Sequence, residues 1–358
     1  MTASITGMAH AVPAAASQQR LWDDYFREHY AGNRVAARVF AASGIETRHG
    51  VIDPTVESLC DTGTGARMQR FLAEAIPLGK EAVSAALADA GLDAADVGLF
   101  GVVSCTGYTT PGLDILLARD LGMTPEVQRL HIGHMGCYAA LPGLGAVSDF
   151  VTARGRPAVM LCLELTTLHV QPPTESARSG RPTAEDLQQM VAHSLFSDAA
   201  AAVVLRPAAT GLRVVDIAAR TDVATSDHMT WDVTDLGFKM GLSPQVPDVL
   251  AVHVRDVVRG LLARNGLSVA DVAGWAVHPG GRRILEVVAE QLELSDAAMA
   301  PSYEVLRDFG NCSSATVLLV LERLLANRPL ATTGSPVVAM AFGPGLTLYM
   351  VLLRAAGD

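Results

Sequence analysis

A self-match at one fixed offset constrains this chain more than any single motif does. The segment ALADAGLDAADVGLF, ending at Phe100, resembles LLARNGLSVADVAGW, ending at Trp275. Gly91, Leu92, Asp96, Val97 and Phe100 face Gly266, Leu267, Asp271, Val272 and Trp275, each 175 residues further on. The same offset sets Cys137 opposite Cys312. Self-similarity of this kind calls for two halves of like architecture. In each half a helical pattern, at about 80–90 and 248–264, leads through Gly-Leu and a turn into a strand, FGVVSC or WAVHP. A glycine-containing turn then opens a helix of small residues, GCYAALPGLGAVSDFV or GNCSSATVLLVLERLL. Two buried strands close each half. In the second half they are PVVAMAF and LTLYMVLLR, joined at the tight turn Gly343-Pro344-Gly345. In the first they are AVMLCLEL and DAAAAVVLR, separated by an insertion over 166–197 that is expected to line a substrate pocket. The expected fold class is therefore α/β with sheets buried on both faces, divided into halves 1–207 and 208–358.

Composition narrows the function classes. Half of the 358 residues are apolar and 18% are charged, enough to bury a large core. The net charge is -10, and the only lysines are Lys80 and Lys239. With no basic run, a nucleic-acid partner is not expected. The opening residues, MTASITGMAHAVP, lack a basic stretch before an apolar run, and no segment is apolar enough for a membrane helix, so a cytoplasmic location is expected. Five widely spaced cysteines, Cys60, Cys105, Cys137, Cys162 and Cys312, form neither a C-x-x-C pair nor a metal-ligand spacing. Most cysteines of this sort are buried small hydrophobes.

Three residues could carry chemistry. Cys137 follows His134-Met135-Gly136 at the mouth of a small-residue helix, where backbone N–H groups and the positive dipole end favour thiolate; the alternative is a buried structural cysteine. His278 ends a strand in Val277-His278-Pro279-Gly280-Gly281, where open α/β folds form pockets, or where a turn residue faces solvent. Asn311, before a helix, also reads as an N-cap. Repeated halves packed about a pseudo-twofold would bring both helix mouths and the His278 strand end toward one centre. A thiolate could then take an acyl group from a thioester, while imidazole N–H and Asn amide hold a thioester enolate, which suits decarboxylative Claisen condensation. Arg34 and Arg38, at i and i+4 of a helical stretch, either meet an anionic ligand or form a solvated face.

These motifs together resemble the type III polyketide synthases, the chalcone synthase superfamily, over nearly the whole chain. The resemblance is carried by GCYAALPGL around Cys137, LFSDAAAAVV around Phe196, VHPGG around His278, GNCSSATV around Asn311 and AFGPGLT around Gly343. It implies a thiolase-like five-layered αβαβα fold, a homodimer, and a Cys-His-Asn triad at Cys137, His278 and Asn311. It also implies gatekeeping phenylalanines at Phe196 and Phe238, and cavity-lining positions at Cys105, Thr166, His169, Met229 and Ser313. The loop Gly343-Pro344-Gly345 matches the family's active-site loop, and Thr110 matches the residue that reaches into the partner's cavity. Substrates would be an acyl-CoA starter and malonyl-CoA, with no metal or redox cofactor. Arg34, Arg38, Arg48 and Arg282 are candidates for the coenzyme A entrance.

Some positions depart from the family pattern. Ala140 stands where the family has Gly, Ser197-Asp198-Ala199 replaces Gly-Asp-Gly, and His169 and Met229 replace smaller residues. A ketoacyl synthase III-like enzyme would share the triad but typically has His-Gln-Ala-Asn where this chain has VHPGG. Papain-like proteases also order Cys, His and Asn, yet no CGSCW-like context surrounds Cys137 and the repeat has no place in that fold. A catalytically silent acyl-thioester-binding homologue is the reading of another class, and retention of all three triad residues argues against it.

Overall fold

Strands such as Ala158–Leu165 (AVMLCLEL) and Pro336–Gly343 (PVVAMAFG) have little or no polar face to give to solvent, so both faces must be covered. The computed structural model, which describes residues 2–327 and 334–356, covers them with helices on each side. In Ala158–Leu165, Val159, Leu161 and Leu163 join a cluster with helix Thr64–Ala90, while Ala158, Met160 and Cys162 turn toward the molecular centre. Along Pro336–Gly343, Val337, Ala339 and Ala341 face that same centre. Val338, Met340 and Phe342 face the other way, toward helices Val246–Ala263 and Arg282–Leu292. The central layer is built from two helices, Ala140–Arg154, rich in small residues, and Thr316–Asn327, rich in Leu and Val after the small-residue turn Ser313–Ala315. Helix, sheet, helix, sheet, helix is the expected five-layered order.

The repeat is visible in strand pairing. In the first half Leu99–Val103 runs parallel to Ala158–Leu165, which pairs antiparallel with Asp198–Pro207. In the second Gly274–Val277 runs parallel to Pro336–Gly343, which pairs antiparallel with Thr347–Ala356. Ala3–Ala11 and Gly211–Thr221 continue the two sheets and meet through Ser4–Arg213 and Ile5–Leu212, making one nine-stranded array. The sequence halves meet in the turn between Pro207 and Gly211, but they are not separate bodies in space. Leu144 and Val147 of the first half share one hydrophobic cluster with Leu321 and Val351 of the second.

The N-terminal helical pattern is broken. A wide turn, Trp22–Phe26, and Arg27–His29 end at left-handed Ala31 and Gly32, after which Asn33 caps Arg34–Ala42 through its side-chain oxygen. The 166–197 insertion forms a short turn, Thr166–His169, and the helices Glu175–Arg178 and Ala184–Leu195, of which the turn and the second helix wall the cavities described below.

Candidate active site

Cys137 lies in the single turn Gly136–Tyr138 that leads into Ala140–Arg154. Two left-handed residues, His134 and Gly136, bend the chain there, and a Cβ on Gly136 would sit 2.8 Å from Pro344 Cδ. Only glycine lets the Gly343-Pro344-Gly345 turn close over the Cys137 turn. The Cys137 thiol is within hydrogen-bond reach of the Ser313 hydroxyl and the Asn311 amide, both of which favour thiolate, but burial dominates and pushes it up to about 12.

His278 follows the strand Gly274–Val277, its N–H donating to the Met340 carbonyl at 2.8 Å. Its ring is buried, and neither nitrogen has a partner among the described residues. Burial drives its pKa down to about 3, so the imidazole is neutral. Asn311 is fixed by main-chain bonds to Leu195 and Ser197. Its Oδ1 accepts from the Ser313 N–H at 2.9 Å, which leaves Nδ2 as a donor. The cap position of the turn Ser313–Ala315 falls on Cys312 and not on Asn311, whose oxygen nevertheless braces the turn while its amide nitrogen remains free to donate. Cys137, His278 and Asn311 line one cavity of about 450 Å³, with Met229 and Phe196.

Two further cavities adjoin it. A chamber of about 20 Å³ is bordered by Cys105, Thr166, Cys137, Ser313 and Pro344. A second, of about 90 Å³, lies toward the N-terminal segment. Phe196 and Met240 border all three, so they form the partition. Phe238 does not. It borders only the 90 Å³ cavity and stacks on His169 with ring centroids 4.5 Å apart. Gly237–Leu242 alternates so that Phe238 and Met240 share a face, and the tertiary register puts the methionine at the partition. His169 likewise leaves the Cys137 chamber. Its Nε2–H donates to the Thr106 carbonyl at 2.7 Å and its Nδ1 accepts from the Phe238 N–H at 3.0 Å, and burial lowers its pKa to about 4.

The four arginines separate. Arg282 borders the 450 Å³ cavity, as does its unforeseen neighbour Arg283, whereas Arg34 and Arg38 are exposed and border none of the three cavities. Arg48 is not at this entrance but buried beside the 90 Å³ cavity, held by the His193 and Phe196 carbonyls. Thr110 is exposed and borders none of these three cavities. Glu164 was also missed: it is fully buried and accepts from the Cys105 N–H at 3.0 Å, Thr106 Oγ1 at 2.8 Å and Ser314 Oγ at 2.6 Å. A carboxylate inside the apolar strand AVMLCLEL is the signal that could have found it. Trp231, whose Nε1–H donates to the Cys105 carbonyl at 2.8 Å, left no such signal. No cluster of metal-ligating side chains occurs among the described residues.

The models of the chalcone and stilbene synthases match the chain twice, the N-terminal domain over residues 2–208 and the C-terminal domain over 215–357. The chain is 35% identical to a 1,3,6,8-tetrahydroxynaphthalene synthase of Streptomyces peucetius subsp. caesius, over 92% of this chain and 86% of that protein. It is 32% identical to the alpha-pyrone synthesis polyketide synthase-like Pks18 of Mycobacterium tuberculosis, over 88% and 81%. The crystal structure of 1,3,6,8-tetrahydroxynaphthalene synthase from Streptomyces coelicolor A3(2) superposes with a TM-score of 0.90 at 26% identity, covering 99% of this chain and 100% of that one.

Proposed function

Because the chain belongs to the chalcone and stilbene synthase family, the type III polyketide synthases, we propose that Cys137, His278 and Asn311 run its iterative condensation of malonyl-CoA. The observation that supports these roles is the single cavity bordered by all three, with the Asn311 oxygen tied down so that its amide donates. Cys137 sulfur attacks the acyl thioester, and coenzyme A leaves as a thiol with the cysteine proton. Malonyl-CoA then loses carbon dioxide, the C–C bonding pair becoming an enolate whose oxygen accepts from neutral His278 and from Asn311 Nδ2. The enolate carbon attacks the Cys137 thioester and expels the sulfur, leaving a β-ketoacyl-CoA two carbons longer that can reload. Mutual neutrality of the two donors matters, because a carboxylate at 311 would repel the developing charge.

Arg282 and Arg283, beside the 450 Å³ cavity, are suited to coenzyme A phosphates. The grown chain closes to a pyrone- or resorcinol-type ring, in keeping with relatives named for tetrahydroxynaphthalene and α-pyrone synthesis. The working form is a homodimer in which the exposed Thr110 meets the partner. Asn311→Ala tests the assignment. Release of labelled carbon dioxide from malonyl-CoA should fall by about 100-fold or more, while acyl loading of Cys137, read as a mass increment, persists. Equal loss of both would sink the division of labour.

A further inference from the structure

The 90 Å³ cavity is bordered by a cation, Arg48, that makes no ion pair among the described residues. Arg48 is 7% exposed. Its Nη1 donates to the carbonyls of His193 at 2.6 Å and Phe196 at 3.0 Å, and its Cζ lies 5.6 Å from the Phe26 ring centroid. Among the described residues only Nη1 of the guanidinium makes hydrogen bonds, and no carboxylate makes an ion pair with it. Asp198 acts on it through space. Its carboxylate oxygens, however, are taken by the N–H groups of Val51 and Thr167 and the hydroxyls of Thr166 and Thr167. At the rim Asp53 is paired with Arg20 and Glu57 with Arg70. Burial brings Arg48 down only to about 10, so it stays charged at neutral pH. Two carbonyls and the Phe26 face hold the charge in part, and its unused edge, Nε with Nη2, is the fork that takes a carboxylate in two parallel hydrogen bonds.

Size points the same way. The chamber beside Cys137, about 20 Å³, has room for little more than one water. An elongating chain must go elsewhere, and the chamber shares Thr166, Phe196, Trp231 and Met240 with the Arg48 cavity. Leu21, Phe26, Ile52, Leu59 and Phe238 give that cavity apolar walls, alongside polar His49, His169, Gln189 and His193. An uncharged alkyl tail would fill those walls but leave the guanidinium unpaired. Resting on the condensation reaction proposed above, we infer that this cavity receives the distal end of the Cys137-bound chain and that Arg48 selects chains whose far end is a carboxylate, as a dicarboxylic starter would supply.

The test compares succinyl-, glutaryl- and adipyl-CoA with butyryl-, hexanoyl- and octanoyl-CoA in the full-length enzyme, reading acyl-Cys137 by mass and first extension with labelled malonyl-CoA. The wild type should extend at least one ω-carboxyl starter in preference to every neutral one. Arg48→Met should reverse that ratio by about 10- to 100-fold through the ω-carboxyl series alone. Since Arg48 also braces two carbonyls, Ala192→Met serves as a second variant. It fills the cavity from the helix wall and should erase the same preference. Equal extension of both series by wild type, or an unchanged ratio in both variants, overturns the inference. Failure of any starter to load Cys137 overturns the condensation reading and this site with it.

Discussion

At the residue scale the chemistry turns on how one buried cavity treats two titratable groups. Sequence context places Cys137 at a helix mouth and argues for thiolate, but burial pushes the thiol up to about 12 and the His278 imidazole down to about 3. In the ligand-free enzyme both are neutral. The sign is then fixed: thiolate grows as pH rises, so alkylation of Cys137 by iodoacetamide should accelerate steadily through and beyond pH 8.5. A rate that stays flat down to about pH 6 would instead reveal a preformed thiolate–imidazolium pair. Cys137, His278 and Asn311 were legible because each sits in a short local motif at an element's end. Phe238 was misplaced because side-chain choice along Gly237–Leu242 depends on how that hairpin docks, and only docking puts Met240 at the partition.

At the scale of elements, the first central helix, Ala140–Arg154, carries small residues for a packing reason. A Cβ on Gly143 would meet Met160 Sδ at 2.8 Å in one sheet, and one on Gly145 would meet Ile217 Cδ1 at 2.6 Å in the other. Ala140–Arg154 is thus pinched between both sheets, and its low amphipathicity follows from burial of nearly all of Ala140–Ser148, with Asp149 and Thr152–Arg154 exposed at its far end. Leu144, fully buried there, cannot be replaced by water or relaxed away easily. Leu144→Ala should lower unfolding free energy by about 2–5 kcal/mol in a urea titration, with the fold retained. A loss under about 1 kcal/mol would show that the central layer collapses onto cavities readily.

At the scale of the molecule, several buried groups make stability depend on pH. His29 and His169 have pKa values near 4 and His278 near 3, all lowered by burial. Below about pH 6.5 the unfolded chain takes up protons at these histidines and the folded one does not, so stability falls as pH drops toward 4. Asp198, raised by burial to about 6, and Glu164, also raised by burial, work in the opposite sense, the folded state gaining their protons first. Burial lowers His131 and His193 as well, however, so the histidines outnumber the two acids. The melting temperature should therefore decline between pH 6.5 and 4. His169→Gln, which keeps a donor for Thr106 and an acceptor for Phe238, should flatten that decline; an unchanged slope would remove His169 as a contributor. By itself the sequence determined the two-half α/β plan, the buried strands and the choice of Cys137, His278 and Asn311 as candidates, because periodicity, repeat offset and turn chemistry are local properties of the chain. Only the tertiary structure decided which side chains share a cavity: that the halves fuse around one central helical layer, that Met240 rather than Phe238 borders the Cys137 chamber, and that Arg48 is buried with an open edge. Those outcomes depend on packing between segments far apart in sequence, where one residue's shift in docking register exchanges one lining side chain for another.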